Sequence, residues 1–279
     1  MKIGNKEVGG DSPCFIVAEA GLAHGGDPKK AFELIDVAVG GGADAVKFQI
    51  YKTEDLVDRK RDRELFDRFK SKELGYSVFK ELSQYAKDKG IIWFATPHTE
   101  DALDFLQGLG VPCYKIGSGD KGSGLFGKII DTGKPVFIST GMRTHSEIVR
   151  LVSEYNTPNT VFLHCITMYP VHPHHANLGF LNTLRQIGVM YGYSCHISGS
   201  LGVEIAVSLG AKVVEKHIKL PESEGQDTLC ALFKDELRAM VKKVRLIETV
   251  LGSQKRVYSP EEQVNESWAL KGKDGRRPL

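Results

Sequence analysis

The chain is 279 residues long, its 37 basic and 35 acidic side chains are interspersed, and its formal net charge is +2. That balance gives no field suited to nucleic acid or an anionic membrane, no run of about 18 apolar residues could span a bilayer, and no charged-then-apolar leader opens the sequence. The expectation is a cytoplasmic chain with one large core that acts on small molecules, its five dispersed cysteines (Cys14, Cys113, Cys165, Cys195, Cys230) lacking a C-x-x-C pair and staying reduced.

In chain order, Met1 to Pro13 reads as a turn-rich hairpin that caps the bottom of a barrel, giving an N-terminal segment over 1–14. Eight apolar runs follow: Phe15 to Ala20, Ala45 to Tyr51, Ile91 to Thr96, Cys113 to Gly117, Val136 to Thr140, Val161 to Ile166, Met190 to His196 and Val213 to Ile218. Helices are predicted to begin near Asp27, Tyr76, Glu100, Gly124, His145, Asn177 and Ser200, and an eighth runs from Lys234 to Leu251. Gly42, Gly90, Gly110, Gly133, Gly188 and Gly210 each close an amphipathic stretch just before an apolar run, as a residue in the left-handed position past a helix end should. Near-continuous apolar strands alternating with helices require a parallel sheet covered on its outer side, and eight repeats favour a (β/α)8 TIM barrel over 15–252. The charged stretch Lys52 to Leu74 lengthens one connection, as a surface helix or as a lid. The tail over 253–279 has little apolar periodicity and reads as an extended arm or flexible end.

Active sites of such barrels lie at the C-terminal strand ends, and polar residues gather there. His196 and His217 each close a strand, one β/α repeat apart, so their imidazoles could converge on one metal ion. The run VHPHH at 171–175 offers more imidazoles, but it sits in a loop without strand support. Lys47 and Gln49 share one strand face, with Val46, Phe48 and Ile50 on the other. A lysine inside such a strand is costly unless it meets an anion. Lys115 in CYKIGSGD repeats the pattern. Beside the hydroxyls of Thr96, Ser118, Ser139 and Ser194 it could cradle a phosphate or form a buried ion pair. Glu19 could balance Lys47 or serve as a general acid or base.

At FIVAEAGLAHGG, KFQIYKTEDL, ATPH, YKIGSGD, KPVFISTGM, LHCITMYP, GYSCH, EKHI and EGQDTLC the sequence closely resembles the N-acetylneuraminate (sialic acid) synthase family, in order from about Lys2 to Leu251. The resemblance implies a β/α barrel that condenses phosphoenolpyruvate with an N-acetylhexosamine aldehyde, giving a nonulosonic acid and phosphate with the help of a divalent metal, commonly Mn2+. On this resemblance His196 and His217 would hold the metal, while Thr96, Lys115, Ser118, Ser139, Thr167 and Ser194 would hold phosphoenolpyruvate. Lys47, Gln49, Tyr169 and Asp227 would contact the sugar, with Glu19 and Asp120 as the catalytic carboxylates. A homodimer is also implied.

Four positions depart from the family pattern. Asp120 stands where Glu is usual, Thr167 where Asn is usual, Ala23 replaces an Asn, and Cys195 replaces an Asp before the histidine. The sequence also ends at Leu279, where relatives usually continue into a small antifreeze-like domain, which a separate partner chain could supply. Two alternatives to the sialic acid synthase expectation follow: a synthase for another sugar aldehyde, or a catalytically weak barrel used as a binding or regulatory subunit.

Overall fold

Six helices end where glycine allows the chain to turn back. Gly42, Gly90, Gly110, Gly133, Gly188 and Gly210 all have φ between 68° and 91° in the computed structural model, which describes residues 1–121, 124–253 and 255–277. Polar caps mark the helix starts. The Asp27 carboxylate accepts from the Lys29 N–H at the head of helix Pro28–Gly41, Thr99 caps Glu100–Leu109, and Thr144 with Glu147 forms a reciprocal capping box on His145–Tyr155.

Strands β1 (Lys2–Ile3) and β2 (Lys6–Glu7) form the antiparallel hairpin. Eight parallel strands follow: β3 (Phe15–Gly21), β4 (Ala45–Ile50), β5 (Ile92–Pro97), β6 (Tyr114–Ile116), β7 (Val136–Ser139), β8 (Thr160–Cys165), β9 (Tyr191–Cys195) and β10 (Val213–His217). Their order is β5-β4-β3-β10-β9-β8-β7-β6, and β5 and β6 then lie side by side without a regular ladder. This is the nearly closed α/β barrel expected from the eight repeats.

Alternation along the strands separates two cores. Outward residues such as Ile16, Val46, Phe48, Ile138, Phe162 and Val214 pack under the helices. Inward residues at the strand starts, among them Phe15, Val17, Ala45, Phe94, Phe137, Val161 and Val213, fill the lower barrel with Ile3 and Val8 of the hairpin segment. The lower barrel is therefore apolar. Toward the C-terminal ends of most strands the same inward face becomes polar, and that change of character creates the site.

Two connections differ from the sequence pattern. The helix expected from Asn177 begins at Phe180, because Asn177 has φ 50° and follows a 3-10 turn at Pro173–His175. The charged stretch over 52–74 forms two short helices, Thr53–Leu56 and Arg63–Lys70. It is anchored where Glu73 accepts from the Thr53 N–H at 2.8 Å and where the Tyr51 hydroxyl donates to the Phe69 carbonyl at 3.0 Å.

Residues Met1–Glu248 form one compact unit and Thr249–Leu279 another. The second contains helical turns at Pro260–Gln263 and Glu266–Ala269, so the tail is less extended than its composition implies. Ser259 caps the first turn and Pro260 opens it, which is the local chemistry that starts a helix. Gly122, Ser123, Gln254, Pro278 and Leu279, part of the loop and tail read from sequence, lie outside the described residues.

Candidate active site

The polar ends of the inward faces enclose a chamber of about 180 Å³. Its wall takes Glu19 from β3, Lys47 and Gln49 from β4, Thr96 from β5, Lys115 from β6, Ser139 from β7, and Glu215 and His217 from β10. Ser194 and His196 come from β9 and the residue just past it. Ser118, Thr167 and Tyr169 come from the loops above. Twelve of the fourteen residues singled out from the sequence thus line one space.

Two ammonium groups and two carboxylates dominate its floor. Lys47 Nζ lies 2.8 Å from Glu19 Oε2 and 3.8 Å from Glu215 Oε2, and it donates to Thr96 Oγ1 at 3.0 Å. Gln49 donates to the other Glu19 oxygen at 3.0 Å. Lys115 Nζ donates to Ser139 Oγ at 2.6 Å and lies 4.0 Å from Glu215 Oε1, which also accepts from Ser194 at 3.1 Å. Lys47, Lys115, Glu19 and Glu215 are at most 5% exposed, so their charges are compensated mainly by one another.

The titration of these groups differs with position. Burial opposes the charge on Lys47, but Glu19 and Glu215 outweigh it and hold the ammonium above its ordinary value. At Lys115 burial wins and lowers the pKa, with Glu215 offsetting only part of the effect. Burial pushes the Glu19 carboxyl up against the pull of Lys47. Glu215 overcomes burial because both lysines face it, and it stays below the usual carboxylate range. Lys115 is the ammonium with the weaker claim on a resident anion.

Above Lys115, the loops after β6 and β7 are drawn together. The Gly141 N–H donates to Ser118 Oγ at 3.1 Å. A Cβ on Gly141 would collide with Thr167 Oγ1 and lie 2.5 Å from Ser118 Oγ, so glycine is required for these hydroxyls to converge. Arg143 clasps the same loops from outside, donating to the carbonyls of Ser118 at 3.3 Å, Ser139 at 3.4 Å and Asp120 at 2.8 Å.

On the opposite wall the ring centroids of His196 and His217 are 5.4 Å apart, with the Tyr169 ring 4.2 Å from His196. His196 Nδ1 donates to the Ile166 carbonyl at 2.8 Å, which leaves Nε2 as its acceptor. Burial, followed by the positive charge of His196 and the lysines, lowers the His217 pKa well below the ordinary value and keeps that imidazole neutral. Burial opposes a charge on His196, but Cys165 and the Ile166 carbonyl outweigh it and hold that imidazole above its ordinary value, so a proton would have to leave Nε2 for a divalent cation. Among the described residues no group of three or more His, Cys, Asp or Glu side chains is arranged to hold one, so oxygen ligands from substrate and water would have to complete the shell.

Two expected residues stand apart from the chamber. Asp120 lines a wider neighbouring hollow of about 730 Å³, and His98 forms a wall common to both spaces. Asp227 lies on the 3-10 turn Gln226–Leu229, half-buried, where burial raises its carboxyl against the pull of Lys72 and His196. The imidazoles of 171–175 remain on the surface; His172 and His174 face each other, ring centroids 4.8 Å apart.

Glu215, Cys165, His98 and Arg143 were given no role from the sequence. Glu215 shares its strand face with His217, two residues away, and the parity that selected Lys47 and Gln49 selects it too. Cys165 lies at the end of β8, its sulfur 3.9 Å from His196 Nδ1. Arg143 gives no such signal, since it acts through carbonyls on two separate loops.

A charge-compensated chamber at the C-terminal mouth of an eight-stranded β/α barrel defines a small-molecule enzyme of the barrel class. Residues 34–256 match the NeuB family, and the chain belongs to that family. It is 40% identical to an uncharacterized protein of Methanocaldococcus jannaschii over 269 residues, covering 94% of this chain and 79% of that one. It is 36% identical to the N-acetylneuraminate-9-phosphate synthase of Mus musculus, covering 88% and 73% respectively. A crystal structure of an N-acetylneuraminic acid synthetase from Leptospira borgpetersenii superposes with a TM-score of 0.87 at 33% identity, covering 95% of this chain and 94% of that chain.

Proposed function

We propose that this chain condenses phosphoenolpyruvate with an N-acetylhexosamine aldehyde, forming a carbon–carbon bond and yielding a nonulosonic acid and phosphate. The observation that carries this reading is the presence in one chamber of two opposed walls, the Lys115–Ser139–Ser118 cradle and the His196–His217 pair. The first fits a phosphate and the second a cation beside a carbonyl oxygen. Family membership and the named synthases among the relatives support it.

In this reading Lys115, Ser118, Ser139, Ser194, Thr96 and Thr167 hold the phosphate and carboxylate of phosphoenolpyruvate and fix its methylene carbon toward the acceptor. A divalent cation, Mn2+ in our reading, held by His196 and His217, would polarise the aldehyde oxygen. The methylene carbon adds to the aldehyde carbon, water adds to the cationic carbon left behind, one proton of that water ends on the former aldehyde oxygen as a hydroxyl, and the tetrahedral centre breaks its C–O bond to phosphate, which leaves with the second proton as the ketone forms. Glu19, raised by burial and steadied by Lys47 and Gln49, takes the proton from that water. Gln49, Tyr169 and Asp227 contact the sugar, and Asp120 reaches toward it from the adjoining hollow.

A second reading within the same chemistry is an acceptor other than N-acetylmannosamine. The position of Asp120 in a hollow shared with His98 favours it, because a longer or bulkier aldehyde could extend there. Both readings are tested by mixing the protein with phosphoenolpyruvate, Mn2+ and a panel of aldoses and measuring inorganic phosphate and a new 2-keto acid. Phosphate release that requires both substrates is expected. Its absence with every aldose would overturn the proposal.

A further inference from the structure

Lys216 has no place in the chamber, yet it is fully buried. It lies on β10 between Glu215 and His217, so its side chain points away from the barrel interior. Its partners are the Ile197 carbonyl, to which Nζ donates, and Cys195 Sγ at 3.7 Å. No carboxylate pairs with it among the described residues. A buried ammonium held by a sulfur and one carbonyl is a costly arrangement, and a fold that keeps it must gain something from its position.

The register shows what is gained. The parallel ladder between β9 and β10 ends with the pair Lys216 and Cys195. His196 follows at once on one strand and His217 on the other, both past the last rung. Lys216 contacts the residues on either side of His196 and is itself bonded in sequence to His217. We infer that Lys216 is the positioning residue that sets the two imidazoles against each other, replacing the missing rung with a side-chain clasp. Helix Leu201–Ser208 closes the clasp from outside: a Cβ on Gly202 would lie 2.8 Å from Ile197 Cδ1 and 3.1 Å from Cys195 Sγ. The remaining restraints on His196 come from a different wall, the Ile166 carbonyl on its ring and the Val171 N–H, which donates to its carbonyl at 2.8 Å. Ser194, which donates to Glu215 at 3.1 Å, ties β9 to β10 one rung lower, and Lys216 carries that tie past the end of the ladder to the residues flanking His196.

This inference rests on the metal reading above. It is tested on the full chain by titrating Mn2+ alone, followed by electron paramagnetic resonance of the free ion, and by recording the d–d absorption of Co2+ bound in its place. Phosphoenolpyruvate binding is measured by calorimetry in parallel. Lys216→Met should weaken Mn2+ by about 10-fold or more, the usual effect of removing a group that orients a metal ligand, and shift the cobalt bands. Phosphoenolpyruvate affinity should stay within about two-fold, since Thr96, Lys115 and Ser139 of its cradle lie on β5, β6 and β7. Lys216→Gln retains a donor and should fall between Met and the unmodified chain; it carries the test if the Met variant does not fold. Unchanged Mn2+ affinity and cobalt spectrum in folded Gln or Met variants would overturn the inference, and so would an equal loss of metal and phosphoenolpyruvate binding. Failure of the unmodified chain to bind Mn2+ would overturn it together with the metal reading. Binding that His196→Ala abolishes while Lys216 variants retain it would overturn the positioning role alone.

Discussion

Replacing Lys115 by methionine isolates the role of one ammonium. The side chain is 3% exposed and donates to Ser139 at 2.6 Å, and its closest carboxylate, Glu215, is 4.0 Å away. Methionine keeps the stem and its packing. Glu215 keeps Ser194 at 3.1 Å and Lys47 at 3.8 Å, so the substitution does not leave it stranded. Fold stability should therefore change little, because the desolvation of Lys115 is removed together with its pairing. The loss should fall on ligand binding. A buried charge-assisted hydrogen bond to phosphate contributes roughly 1.5–3 kcal/mol, which corresponds to a rise of about one to two orders of magnitude in the phosphoenolpyruvate concentration required. Steady-state kinetics with each substrate varied in turn, supported by calorimetric binding of phosphoenolpyruvate, reads this directly. An effect confined to the sugar, with phosphoenolpyruvate affinity intact, would refute the placement of the cradle.

Further outcomes follow from the same geometry. His196→Ala and His217→Ala should each remove most bound manganese and nearly all turnover with an unaltered circular dichroism spectrum; full activity in both would end the metal assignment. Because burial lowers the Lys115 pKa, its ammonium is lost earlier than that of an ordinary lysine as pH rises. Phosphoenolpyruvate affinity should accordingly decline on the alkaline side in the unmodified chain, while Lys115→Met lacks that limb; identical profiles would contradict it. Asp120→Glu extends a carboxylate by one methylene from the hollow it shares with His98 and should raise turnover of N-acetylmannosamine relative to bulkier aldoses, an unchanged ratio being the contrary result.

The repeating parts of the molecule were the most legible in its sequence. Each of the six glycines expected to end a helix has the positive φ that only a residue without a Cβ adopts easily. Parity along β4 placed Lys47 and Gln49 on the inner face because apolar neighbours marked the outer one. The same rule, applied to β10, would have given Glu215 a role beside His217. What the sequence conceals is long-range and borne on loops. Arg143 works through three carbonyls, Asp120 and Asp227 depend on where irregular segments settle, and Lys216 carries out its role from the face that parity assigns to the apolar layer. Asn177 misled the helix boundary because its left-handed backbone is a local choice that an amphipathic pattern does not encode.

The open side of the barrel has a consequence for how substrate and scaffold stabilise each other. β5 and β6 lie together without a regular ladder, and their upper ends carry Thr96 and Lys115, both assigned to the same ligand. A bound phosphoenolpyruvate would stitch a seam that the backbone leaves unsewn. Amide hydrogen exchange should therefore slow most along these two strands when ligand is added, more than along β3 or β10, whose amides are already protected on both sides. Uniform protection around the barrel would show that the seam is closed without help.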